Sequence, residues 1–177
     1  MEASLTPFDP LLPGDNGISQ TANRMKYAVR FALENYPAIR ARAESLVAAC
    51  PERDEICEVK QVYAFVLAHY RYLKDPRPFE LLKSPEIVDA EISKFGAFQG
   101  DCDDVTCYLA ALLTAIGFAV NIVVISVRGM GDEYRHVFPR VYVPAISKWV
   151  ALEATARNHA MGWEPPNGGR IREYPVT

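Results

Sequence analysis

The stretch GAFQGDCDDVTCYLAALLTAIGF, Gly96 to Phe118, sets a loop against an amphipathic helix with a cysteine at the join. Asp101 reads as the N-cap and Asp104 as its capping-box partner, because short acidic side chains accept the N–H groups left unpaired in a first helical turn. Cys102, Val105, Leu109, Leu112 and Ile116 then fall on one stripe, and Gly117 ends the helix. Cys102 is thus expected in the first turn, facing inward. There the helix dipole and the unpaired N–H groups favour a thiolate and can hold an oxyanion. Asp101, Asp103 and Asp104 oppose this, since negative charge raises a thiol's pKa. A reactive Cys102 therefore needs a cationic partner, and an imidazolium is the obvious kind.

Downstream the hydrophobic period changes to two. AVNIVVISV (119–127), EYRHVFPRVYV (133–143) and KWVALEA (148–154) read as three strands, the first two joined by the glycine-rich RGMGDE and the last two by PAIS. Tyr134, His136, Phe138, Arg140 and Tyr142 share one face by alternation. A four-residue turn, Pro144 to Ser147, sets Val143 opposite Lys148, Phe138 opposite Glu153 and His136 opposite Thr155. Glu153 is then diagonal to His136 on the same face. A turn one residue longer would send Glu153 to the other face. On the four-residue register Cys102, His136 and Glu153 form a nucleophile, base and orienter.

Upstream, residues 1–19 read as an extended arm, Gln20 to Cys50 as two helices meeting at NYPAIR, and Asp54 to Leu73 as a helix stopped by the prolines of KDPRPFE. A short helix is expected within SPEIVDAEISKF, and MGWEPPNGGR is expected as loop. The sequence reads as one domain, 1–177: N-terminal arm and helices to residue 55, a core over 56–165 and a C-terminal tail over 166–177.

Half of the 177 residues are hydrophobic, and the net charge is −3 with no basic stripe. A nucleic-acid surface is not expected. The N-terminus lacks the basic start and apolar run of a signal peptide, and no apolar run approaches the roughly 20 residues that span a bilayer, so a cytoplasmic protein without membrane insertion is expected. In that compartment Cys50 and Cys57, which flank PERDEI and could pair in an oxidising setting, are expected as reduced thiols. Cys107 reads as core or helix surface, and His69 and His159 as structural or solvated. With no CxxC and only three histidines, no zinc-ligand spacing emerges. The three aspartates read as caps rather than a divalent-cation site, so no metal and no cofactor are expected.

Taken in order, GDCDDVTCYLAALLTAIGF, HVFPRVYV and WVALEAT resemble the transglutaminase-like superfamily of papain-like thiol enzymes, with its G-x-C helix, H-V strand and W-x-x-L-D-A/P-T strand. The helix VYAFVLAHYRYLKDP is similar to the one that family places ahead of the cysteine, so the likeness runs from about Val59 to Thr155. It implies an α+β fold: a helical N-terminal half and a central helix packed on an antiparallel sheet. It also implies Cys102 as nucleophile, His136 as general base and acid, and Glu153 as orienting carboxylate. Glu153 departs from the family's usual aspartate. Asn158 is an alternative orienter, as papain-like enzymes use asparagine. Gln99 and Tyr72 are candidate oxyanion donors, and Trp163 a candidate wall of the cleft. The implied activity is that of a cysteine-dependent amide hydrolase or protease working through a thioester on a protein or peptide substrate. A protein-crosslinking transglutaminase, with a lysine amine in place of water, and a non-enzymatic assembly module are the alternatives. GISQTANRMKYAVRFALENYPAIRARAESL is similar to small proteins of phage and prophage regions, which implies phage structural proteins as partners and the host cytoplasm or the virion as location.

Overall fold

In a computed structural model the described residues are 14–74 and 81–177. The arm up to residue 13 and the prolines of KDPRPFE lie outside them. Helix α1 (Gly14–Asn35) begins within the expected arm and buries Ala22, Met25, Val29 and Ala32 at helical spacing. Tyr36 precedes Pro37, which opens α2 (Pro37–Val47) where a missing N–H costs nothing. Asp54 caps α3 (Glu55–His69), its side chain accepting from Cys57 N at 2.9 Å. Helix α3 stops four residues short of the expected Leu73. Its last turn gives way to strand β1 (Tyr70–Tyr72), which pairs in parallel with β2 (Phe98–Gly100). Helix α4 (Pro85–Phe95) fills the expected SPEIVDAEISKF segment and ends at Gly96 in the left-handed region.

Helix α5 (Cys102–Ala115) is the centre of the molecule. Val105, Cys107 to Leu113 and Ala115 are buried on all sides, because α1, α2, α3 and α4 pack around it and the sheet closes the remaining face. Such a helix reads as hydrophobic all round, and only its first turn carries charge.

The sheet has the order β5-β4-β3-β6 and is antiparallel throughout, built from β3 (Val120–Val127), β4 (Tyr134–Val143), β5 (Lys148–Ala151) and β6 (Asn167–Pro175). Val120, Ile122, Val124 and Val141 face α5, while Val123, Ile125, Phe138 and Ala151 form a second apolar cluster. Strand β6 corrects the reading of 166–177 as a tail. Most of its residues are exposed, and Arg170, Arg172 and Glu173 put charge along it, as suits an edge strand that must not recruit a neighbour. The β4–β5 turn follows the expected register: Val143 pairs with Lys148 and Arg140 with Ala151, with Ser147 at φ 52° closing a short 3-10 turn.

Two further expectations change. Ile125 pairs with His136 but Ser126 with Tyr134, so Arg135 is an extra residue, a β-bulge. The bulge moves Tyr134 off the face of Phe138 and packs it against the main core. Cys50 and Cys57 are joined in a disulfide that closes the α2–α3 turn, against the expectation of reduced thiols. Asp54 capping folds the PERDEI loop back on itself and brings the two sulfurs together. Among the described residues no helix is long and apolar enough to cross a membrane.

Candidate active site

The first turn of α5 is fixed by its own acids. The Asp101 side chain accepts from Asp103 N at 3.3 Å, and Asp104 reaches back to accept from Asp101 N at 3.3 Å and from Lys83 N at 2.7 Å. Asp103 Oδ1 accepts from Asp104 N at 2.8 Å. One oxygen from each of the three acids lies within 4.8 Å of the others, but capping already accounts for the arrangement. Half-buried Cys102 is held at the helix start by this framework.

Burial pushes the Asp104 carboxyl up to about 7, with the Asp101 charge adding to it and the two N–H donors opposing it. A carboxyl raised in the folded state above its unfolded value of 3.8 contributes stability that is complete at low pH and lost as pH rises toward and through 7. The expected result is an unfolding free energy that declines between about pH 4 and 7 by a few kcal/mol more in wild type than in Asp104→Asn. Denaturant titrations at intervals across that range would check it. Equal slopes would show that the Asp104 charge is not strained.

His136 stands at the bulge of β4, and its Nε2 donates to Glu153 Oε2. Glu153 Oε1 accepts from Thr155 Oγ1 at 2.5 Å, Thr155 N at 2.7 Å and Ala156 N at 3.3 Å. Burial alone would push this carboxyl up, yet the bonds from His136 and Thr155 hold it below the usual range. From α3, the Tyr63 hydroxyl donates to the Glu153 carbonyl at 2.5 Å. Its own pKa is pushed up to about 12 by burial and by the Glu153 charge. With Nε2 committed to Glu153, Nδ1 is the ring nitrogen left for chemistry in the cleft.

Cys102 and His136 line one cleft of about 480 Å³. One wall is α1, through Gly17, Ile18, Ala22 and Met25; Val124 and Val137 belong to the sheet side, and Arg170 reaches in from β6. Asp15 ties these parts together, pairing with Arg170 at 2.7 Å and Arg172 at 2.8 Å, while both guanidinium groups lie over the Tyr134 ring. The sequence places neither α1 nor β6 at the cleft, since no spacing relates Asp15 to Arg170.

Gln99, Tyr72 and Trp163 are not among the residues lining that cleft. Gln99 is exposed on β2, and Trp163 stacks on His159 with ring centroids 3.7 Å apart. Tyr72 is 57% exposed, whereas Tyr70, two residues earlier, is fully buried and donates to the Asp101 carbonyl at 3.2 Å. Burial raises the Tyr70 hydroxyl well above its ordinary value, and the nearness of Cys102 adds to it. Helical spacing already sets Tyr70 on the apolar face with Tyr63 and Val66, which is the signal in the sequence that points to it rather than to Tyr72. Cys107 is core: burial pushes its thiol up, and the sulfur faces the Met25 carbonyl at 3.8 Å.

A cysteine opening a buried helix and a strand histidine bonded to a carboxylate share one cleft. The chain belongs to the transglutaminase-like superfamily, whose core-domain model matches residues 40–154. Two solved structures share the fold at low identity. One is a candidate protease from Parabacteroides distasonis, 12% identical with a TM-score of 0.54, the match covering 75% of this chain and 26% of that one. The other is a candidate cysteine protease from Cytophaga hutchinsonii, 13% identical with a TM-score of 0.50, covering 78% of this chain and 47% of that one. The chain thus spans less than half the length of either. No curated protein matches the sequence. Helix α1, which walls the cleft, and β6 lie outside the family match.

Proposed function

We propose that the chain is a cysteine-dependent amide hydrolase acting on a peptide or protein substrate. The observation that carries this reading is the His136–Glu153 hydrogen bond at the edge of the cleft that Cys102 opens onto. Cys102 Sγ, its proton taken by His136 Nδ1, attacks the amide carbon. The carbonyl π bond opens to an oxyanion, which the Cys102 backbone N–H stabilises at the helix start. Collapse breaks the C–N bond, and His136 returns the proton to the departing amine. Water, deprotonated by His136, then adds to the thioester, and C–S cleavage releases a carboxylic acid and the free thiol. Throughout, Glu153 fixes the ring so that Nδ1 keeps facing the sulfur.

The test is a screen of peptide and isopeptide libraries by mass spectrometry, wild type against Cys102→Ala. The expected result is cleavage by wild type alone, with a covalent adduct on Cys102 at short times. Turnover that survives in Cys102→Ala would sink the reading. Products joined to lysine amines instead of water would make the chain a crosslinking enzyme.

A further inference from the structure

We propose that Thr155 is a positioning residue: its hydroxyl and backbone N–H hold one oxygen of Glu153 so that the other meets the His136 ring. The proposal rests on the hydrolase reading above. Glu153 lies past the end of its strand, because β5 pairs with β4 only as far as Ala151, followed by one bond from Leu152 N to the Pro139 carbonyl at 2.9 Å. A glutamate there has one more rotatable bond than the family's aspartate, and nothing in strand pairing fixes its carboxylate. What fixes it is local. Three donors converge on Oε1, two of them from Thr155, while Oε2 is given to His136. The Tyr63 hydroxyl donates to the Glu153 carbonyl and holds the backbone there. Each carboxylate oxygen therefore has its own task, and the extra methylene is taken up without loosening the histidine.

A carboxylate held in this way stabilises an imidazolium beside a thiolate, so losing the Thr155 hydroxyl weakens that ion pair. The ion pair shows as a plateau when the rate of Cys102 alkylation by iodoacetamide is followed against pH. Other titratable or charged groups line the cleft with His136: Cys102 and Asp103 from α5, Asp15 from α1, Arg170 from β6, and Glu133, Tyr134 and Arg135 beside it on its own chain segment. None of these is altered by a change at Thr155, so a changed profile reports the placement of Glu153.

The experiment compares wild type, Thr155→Val, Thr155→Ser and His136→Ala, with thermal melts of each. Valine keeps the shape and the N–H but loses the hydroxyl, and serine restores it. In Thr155→Val the plateau is expected to narrow from both ends, with the rate at pH 5 lowered about threefold to tenfold. Thr155→Ser should follow wild type. The downfield proton resonance of His136 Nε2–H should shift in the valine variant and not in the serine one. Thr155→Ala replaces valine if that variant does not fold. A Thr155→Val profile that superimposes on wild type, while His136→Ala loses the plateau, overturns the positioning role alone. Absence of a plateau in wild type overturns the hydrolase reading, and this proposal with it.

Discussion

Replacing His136 with alanine is expected to abolish the low-pH plateau in Cys102 alkylation and to lower amide turnover by about 10³-fold or more. The physical reason lies in the acids around the sulfur. An ordinary thiol with a pKa near 8.5 is roughly 0.3% thiolate at pH 6 and tenfold less at pH 5. Whatever negative charge the acids at the same helix start carry can only reduce that fraction; Asp104, pushed up to about 7, is largely neutral at these pH values and adds little. An imidazolium beside the sulfur reverses the balance and keeps the thiolate populated. The gain in alkylation rate is smaller than the gain in thiolate, because a thiolate of lower pKa is a weaker nucleophile, with a Brønsted coefficient of about 0.4–0.5. The difference between wild type and His136→Ala is therefore only severalfold at pH 6, growing to on the order of tens of fold at pH 5. The slope is the sharper readout. The variant should lose a factor of about ten per pH unit below pH 8, whereas wild type stays level. A wild-type rate that falls with the same slope would remove the basis for a Cys102–His136 pair. Cys102→Ser must show no labelling at this position, which separates the signal from Cys107.

Much of this site was legible because its determinants are local. The capping of α5 by Asp101 and Asp104 is written within four residues, and the β4–β5 register that leads the chain to Glu153 is set by one turn, Pro144 to Ser147. The remainder depends on pairings between distant segments. The bulge at Arg135 appears only when β3 is laid against β4, and β1 pairs with β2 across some thirty residues. Strand β6 is an exposed edge whose glycines, two arginines and Glu173 give no apolar alternation to follow. A compartment argument points to reduced Cys50 and Cys57 but says nothing about a capped turn that brings the two sulfurs together. Tyr72 rests on the family resemblance alone, and a resemblance does not fix which of two neighbouring tyrosines is buried against the start of α5; in the fold it is Tyr70.

Gly100→Ala is expected to cost about 2–4 kcal/mol of stability and to slow catalysis by roughly 10²-fold in whatever protein remains folded. The glycine of the G-x-C motif is not there for an unusual backbone angle. A methyl group at residue 100 would lie 2.8 Å from Asp104 Cβ and 2.9 Å from Cγ, and closer still to Oδ2. Asp104 occupies that space because it must fold back over Gly100 to accept from Asp101 N and Lys83 N. Relief by turning Asp104 away uncaps α5 and strands two N–H donors, together with a carboxyl buried to 1% exposure. Relief by moving β2 instead breaks its pairing with β1 and the bond from Leu73 N to the Gly100 carbonyl at 2.8 Å. Either movement shifts Cys102, two residues further on, relative to the ring of His136. The cause can be isolated with the double variant Gly100→Ala/Asp104→Ala, in which the collision is gone. If the clash is the mechanism, the double variant is more stable than the sum of the two single losses requires, by about 1–3 kcal/mol. Additive losses would place the need for glycine elsewhere, and an unchanged melting temperature in Gly100→Ala would show that the helix start tolerates a side chain there.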